Sequence, residues 1–153
     1  MRTESGQWLS AKRLILASGV IDELPDIDGL RHRWGQSVFH CPYCHGYELN
    51  QDAIGVLATS PMSIHHALLL PDRGPTTFFT NGVFEPDAEQ LAELDRRGVI
   101  LETRPVSHIR GERADVVLSD GQVIAVAGLF AMPRTRMASP LAEQLGCTFE
   151  DGP

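Results

Sequence analysis

The sequence predicts an α/β domain: a parallel sheet with covering helices and a small antiparallel β-meander. Three observations lead there. Short apolar runs alternate with amphipathic stretches of helical length through the middle of the chain. Turn signals at Ser60-Pro61, Asn81-Gly82 and Gly98 punctuate that alternation. A cluster of short β-like runs then folds back on Ser119-Asp120-Gly121. Strands and helices alternating at this spacing imply crossover units and a parallel sheet.

In order along the chain, residues 7–10 follow a Ser5-Gly6 turn and read as part of a β-hairpin. Lys12 to Ala17 is an apolar run ended by Ser18-Gly19, which predicts a buried strand. Ala53 to Thr59 reads as a second buried strand. Ser60 as N-cap and Pro61 at the first helical position open a helix running to Leu70, with Ile64, Ala67 and Leu68 on its apolar face. Pro75 to Thr80 is the next strand. Asp87 and Gln90 are spaced for a capping box on a helix that reaches Arg97, with Gly98 just past its end. Val99 to Leu101 completes a strand–helix–strand–helix–strand order, the pattern of a Rossmann-like mononucleotide-binding half. Residues 106–110, 115–118 and 122–126 form the meander. Gly128 to Met132 returns as a strand, and Ser139-Pro140 opens a short helix ending near Gly146.

A buried parallel strand needs neighbours on both sides, and no segment before Lys12 supplies them. Residues 149–153 end in turn chemistry. The expectation is therefore a piece of a larger protein.

Composition narrows the partners. Of the 153 residues, 42% are apolar and 22% charged, which suits a globular core. A formal net charge of -7, with Lys12 as the only lysine, argues against nucleic acid and anionic membrane, which need clustered cations. No apolar run approaches a membrane span, and the N-terminus lacks an apolar signal core, so a cytoplasmic protein is expected. Three cysteines in such a chain point to chemistry or metal rather than a disulfide framework.

The chemistry-bearing segment is His40-Cys41-Pro42-Tyr43-Cys44-His45-Gly46-Tyr47-Glu48. Two cysteines at this spacing, at a helix start, lie within disulfide reach and can act as a redox dithiol, clamp a metal or hold a haem. Cys41 to His45 fits the Cys-x-x-Cys-His haem pattern, but the α/β order and the missing secretory signal oppose it. Zinc could draw on His40, Cys41, Cys44 and His45. Four ligands within six residues do not easily wrap one tetrahedron, so another segment or subunit would have to contribute. Cys-Pro-Tyr-Cys is also a glutaredoxin motif, though no small domain of that kind fits around position 41. An inert reduced pair is the remaining reading. Of the other candidates, His65 and His66 share a helix, one toward solvent and one toward the sheet edge. Trp8 and Trp34 read as packing residues, Cys147 as a small apolar filler and Glu48 as a surface charge.

Taken together, these segments resemble part of a thioredoxin-reductase-like flavoprotein of the pyridine nucleotide-disulfide oxidoreductase family. Leu14-Ile15-Leu16-Ala17-Ser18-Gly19 resembles the strand and turn closing the first half of the FAD domain. Cys41 to Glu48 resembles the redox-active segment that opens the inserted nucleotide domain, and Ala127-Gly128-Leu129-Phe130 the segment leading back. The resemblance implies an end of an FAD domain and linker over 1–36, a nucleotide-type domain over 37–132 and a return segment over 133–153. It implies Cys41, Cys44 and His45 as catalytic residues, Ala17, Ser18 and Gly19 as the part of the FAD site present, and no resident metal. Cys44 would face the flavin and Cys41 the substrate. His45 stands where many relatives carry an acid, which resembles the branch of dithiol oxidases acting on small-molecule dithiols. The implied partners are such a dithiol or a thioredoxin-like protein, in a homodimer.

Departures matter as much. A dinucleotide turn wants Gly-x-Gly-x-x-Gly/Ala, whereas this one reads Ala58-Thr59-Ser60-Pro61-Met62-Ser63. Thr80-Asn81-Gly82 offers no acid for a ribose and no arginine for a 2′-phosphate. The expectations are a degenerate NADPH site, FAD held in a longer parent protein and little activity from this chain alone. The competing reading is a Rossmann-like binding module whose cysteines are structural or hold zinc.

Overall fold

The computed structural model describes residues 2–149. Its elements are β1 (Val20–Glu23), α1 (Leu30–Arg33), β2 (Val38–Phe39), α2 (Pro42–His45), β3 (Ile54–Leu57), α3 (Ser63–Leu69), β4 (Thr76–Phe79), α4 (Ala88–Arg96), β5 (Ile100–Glu102), β6 (Val106–Arg110), β7 (Asp115–Leu118), β8 (Val123–Ile124), β9 (Gly128–Ala131), β10 (Arg134–Met137) and α5 (Leu141–Gln144). The chain divides into two compact units. One is Glu23–Arg134; the segments before and after it make the other.

In the larger unit, five strands form a sheet in the order β2-β9-β3-β4-β5. Every pair in it is parallel, with Ile54 of β3 level with Gly128 on one side and Thr76 on the other. All four residues of β3, β4 and β9 are buried, as expected of a sheet covered on both faces.

Period-2 alternation decides what covers each face. Ile54, Val56, Phe78 and Phe130 point into one core with Ala67 of α3 and Leu94 of α4. Leu57, Phe79, Leu129 and Ala131 point into a second core with Val106, Ile109, Val116 and Leu118 of the meander. Helices thus cover one face and the antiparallel β6-β7-β8 sheet the other. Phe78, Phe79 and Phe130 are fully buried, and each contributes about 1.5–3 kcal/mol by leaving water. Arg33 ties α1 to the meander: its guanidinium donates to the carbonyls of Gly29, Ile109, Gly111 and Arg113.

The capping box forms as the spacing predicts. The Gln90 N–H donates to the Asp87 carboxylate, and the Asp87 N–H donates to the Gln90 side chain, both at 2.9 Å. Gly98 follows α4 in the left-handed region. The helix expected from Pro61 starts later, at Ser63, and Ser60 does not cap it. The hydroxyl that accepts backbone N–H groups there belongs to Ser63.

The smaller unit departs most from expectation. The predicted strand over 12–17 does not form; Ile15 is 90% exposed and Leu14 47%. A buried strand is stable only between partners, and no strand among the described residues pairs with this one. The hairpin reduces to one bridge between Arg2 and Trp8, and Trp8 is exposed rather than packed. β1 and β10 make a two-stranded sheet. The helix after Ser139-Pro140 forms as α5, but Cys147 beyond it is exposed, not a filler. Of the turn read at 149–153, only Phe149 lies within the described residues. No helix among the described residues is long and apolar enough to cross a membrane.

Candidate active site

β2 lies at the edge of the parallel sheet, beside β9. Where it ends, Pro42 at the first helical position turns the chain into α2, and Cys41 becomes the residue before the helix. The N–H groups of Cys44 and His45 both donate to the Cys41 carbonyl, at 3.2 and 3.3 Å, closing one turn of chain. That turn brings the two sulfurs together. Both are free thiols, Cys41 half-buried and Cys44 exposed.

The pair shares a proton unequally. A hydrogen bond from the Cys44 side chain lowers the pKa of Cys41; burial opposes it, and the backbone N–H groups of Cys44 and Tyr43 add smaller lowering effects. The same contact raises the pKa of Cys44, with burial and the neighbouring Cys41 charge adding to it. Cys41 is therefore the thiol of the pair that ionises more readily, and the thiolate is the reactive form in exchange.

His45 closes α2. Its ring stacks on Phe39, with centroids 4.3 Å apart and planes 12° from parallel, and its Nδ1 is buried with no hydrogen-bond partner. Stacking on Phe39 fixes the plane of the ring. Gly46 lets the turn sit close against the next segment. A Cβ there would lie 2.6 Å from the Pro42 carbonyl oxygen and 3.3 Å from the Arg73 side chain. Gly46→Ala is expected to shift the dithiol turn and cost about 1–3 kcal/mol. A melting temperature unchanged by the substitution would contradict this.

The structure adds a histidine that the sequence left as ordinary. His66 of α3 is only 7% exposed, while His65 faces solvent. The His66 ring stands 6.3 Å from that of His40, the residue before Cys41, and 6.5 Å from that of His65. Burial, then His40 and His65, push its pKa down to about 4. The helical apolar pattern was the signal for its burial, since it lies between Ile64 and Ala67, but nothing in the sequence placed it near His40. These imidazoles do not converge with the thiols: no cluster of three or more His, Cys, Asp or Glu among the described residues could hold a metal ion.

The sheet order reverses between β3 and β9, and a crevice of about 350 Å³ opens beyond their carboxyl ends, bordered by Ala58, Thr59, Asn81, Val83, Met132 and Arg134. Ligands of open parallel sheets bind at such switch points. At this turn the N–H of Thr59 and that of Ser60 donate to Ser63 Oγ, at 3.0 and 3.4 Å. Asn81, at a φ of 52°, accepts the Val106 N–H at 2.7 Å. Arg104, the first arginine after β5, is already bound by Glu102, Asp120 and Gln122. In the smaller unit Ala17, Ser18 and Gly19 are exposed, Gly19 at a φ of 70° with open space where a Cβ would stand.

An oxidoreductase structure from Agrobacterium tumefaciens superposes with a TM-score of 0.84 at 63% identity, over 88% of this chain and 45% of that one. Thioredoxin reductase sirT of Leptosphaeria maculans is 29% identical over 94% of this chain and 49% of its own length. Thioredoxin reductase aclD of Aspergillus oryzae is 32% identical over 76% and 40%. The chain belongs to the thioredoxin-reductase-like family. It spans about half the length of the curated relatives it matches. No family model matches it.

Proposed function

We propose that this chain is the dithiol-bearing part of a flavin-dependent oxidoreductase that exchanges electrons with a thiol or disulfide substrate and does not use NADPH. The observation that carries this is the Cys41–Cys44 hydrogen-bonded pair, with the pKa of one thiol lowered and that of the other raised. A substrate thiolate attacks Cys41 of the oxidised pair; an S–S bond forms to the substrate and Cys44 leaves as thiolate. The second substrate thiol then attacks the substrate sulfur of that mixed disulfide. Cys41 leaves as a thiolate, and its lowered pKa makes it the better leaving group. The substrate gains a disulfide, the protein gains two thiols, and His45 carries a proton between Cys44 and solvent.

FAD, when bound in the longer protein, supplies the acceptor for those two electrons. Ala17, Ser18 and Gly19 would contribute to its site, and their exposed, open backbone fits a cofactor passing close to a turn. They make only a small part of such a site, so this chain alone is expected to hold FAD weakly. The domain limits at 36 and 132, the homodimer and a small-molecule dithiol as substrate belong to the same reading.

The glycine-free turn supports the exclusion of NADPH. Cβ atoms at Ala58, Thr59 and Ser60 stand where a pyrophosphate needs bare backbone, and Pro61 removes a donor. Each lost phosphate contact costs about 1.5–3 kcal/mol, enough together to take micromolar affinity to millimolar. The test pairs an absorption spectrum of the longer protein with calorimetric titration of NADPH and NADH. A flavin band bleached by a dithiol, with no micromolar nucleotide binding, is expected. A micromolar dissociation constant for either nucleotide overturns the donor assignment. A colourless protein with stoichiometric zinc points instead to a binding module.

A further inference from the structure

We infer that Ser63 is a specificity-determining residue that closes the switch-point crevice to phosphate by occupying the place of a phosphate oxygen with its own hydroxyl. This rests on the reading that no nucleotide serves as electron donor and explains how the fold enforces it.

The crevice beyond β3 and β9 is still open, and Ala58 and Thr59 border it. Space at the turn therefore does not exclude a phosphate group. Donors decide. A backbone turn binds pyrophosphate through N–H groups that lack a partner within the protein. Here the Thr59 and Ser60 N–H groups share one acceptor, Ser63 Oγ, at 3.0 and 3.4 Å. The Thr59 hydroxyl is a further neighbour of that oxygen, at 3.3 Å. The Ser63 N–H in turn donates to the Ser60 carbonyl at 3.1 Å. Ser63 is 0% exposed.

A water in this position would leave at small cost when phosphate arrived. A serine hydroxyl is not released to solvent as a water is: its Cβ is fixed to α3, which is packed by Ala67 against the sheet, and it can only rotate about χ1, giving up both N–H groups at once. An incoming phosphate would have to turn this hydroxyl out of its place and compete for two donors already satisfied. The turn thus pairs its own polar groups internally, as buried backbone groups require, and excludes the anion by the same contacts.

The test uses this chain labelled for amide NMR, with inorganic pyrophosphate and NADPH as probes. In the wild type the Thr59 and Ser60 amides are expected to exchange slowly and not to shift with either probe. Ser63→Ala should speed their exchange and raise pyrophosphate affinity about tenfold or more, the effect of roughly one recovered charge-assisted contact. Ser63→Thr keeps the hydroxyl and should behave like wild type. A folded Ser63→Ala chain whose two amides respond no more than wild type would overturn the inference, leaving the exclusion to the side chains and Pro61. Fast exchange of both amides in the wild type would also overturn it, even if Ser63→Ala failed to fold. Micromolar NADPH binding by the wild type would sink the donor reading itself, a different outcome from either.

Discussion

Cys41→Ser in the longer, flavin-loaded protein is expected to lower turnover of a dithiol by on the order of a thousand-fold or more, the size of loss seen when a nucleophile is removed. A serine hydroxyl does not ionise near neutral pH, whereas Cys41 is the thiol of the pair whose pKa is lowered, first by the Cys44 side chain. Cys44→Ser should also stop turnover, but with a different signature. It leaves Cys41 reactive and removes the sulfur that resolves a mixed disulfide. The serine hydroxyl keeps a hydrogen-bond donor for the Cys41 thiolate, so the adduct should form and then persist. Intact mass after exposure to a disulfide reagent reads this directly once the exposed Cys147 is replaced by serine in both variants: Cys44→Ser then accumulates one adduct on Cys41. Cys41→Ser accumulates less, because the thiol left behind is the one whose pKa is raised. Faster adduct formation in Cys41→Ser than in Cys44→Ser would reverse the assignment of inner and outer sulfurs.

The dithiol turn was legible in the sequence because its causes are local. Cys41 before Pro42, a tight turn and Gly46 at its end fix α2 without help from distant residues. The same holds for the capping box at Asp87 and Gln90. Strand identity was legible for β3, β4 and β9, whose apolar runs bury both faces. Which face meets helices and which meets the meander was not, since alternation within Ile54–Leu57 names two faces without naming their partners. The strand expected over residues 12–17 failed for the complementary reason: its apolar pattern is real, but a strand is made by its neighbours. Ser63 was hidden by a choice between serines. Ser60 before Pro61 matches the usual capping signature, yet the hydroxyl reaching the turn's N–H groups is three residues later, because the helix begins at Ser63. The His40–His66 approach joins two segments more than twenty residues apart, which no local signal encodes.

His66 should make the fold acid-sensitive in a window where carboxylates do not. Its pKa is pushed down to about 4 from an ordinary 6.5 by burial first, then by His40 and His65. Its Nδ1 has no hydrogen-bond partner to reward a proton. The folded chain thus keeps this imidazole neutral, while the unfolded chain protonates it below about pH 6.5. Between those values the unfolded state binds more protons, so stability rises with pH there and falls on acidification. The loss begins near pH 6.5, is nearly complete at pH 4 and amounts to on the order of 2–3 kcal/mol. Glu102 and Asp120 also have lowered pKa values, the first from the Arg104 side chain and the second from the Gln122 backbone N–H. Their contributions are present above their ordinary carboxylate pKa values and are lost only below them, at the acid end of the His66 window. His66→Gln and His66→Phe should therefore flatten the stability profile between about pH 6.5 and 4.5 while leaving the steeper fall below it. Urea denaturation at closely spaced pH values measures this. A slope in that interval that survives both substitutions would show that another group, not His66, takes up the proton on unfolding.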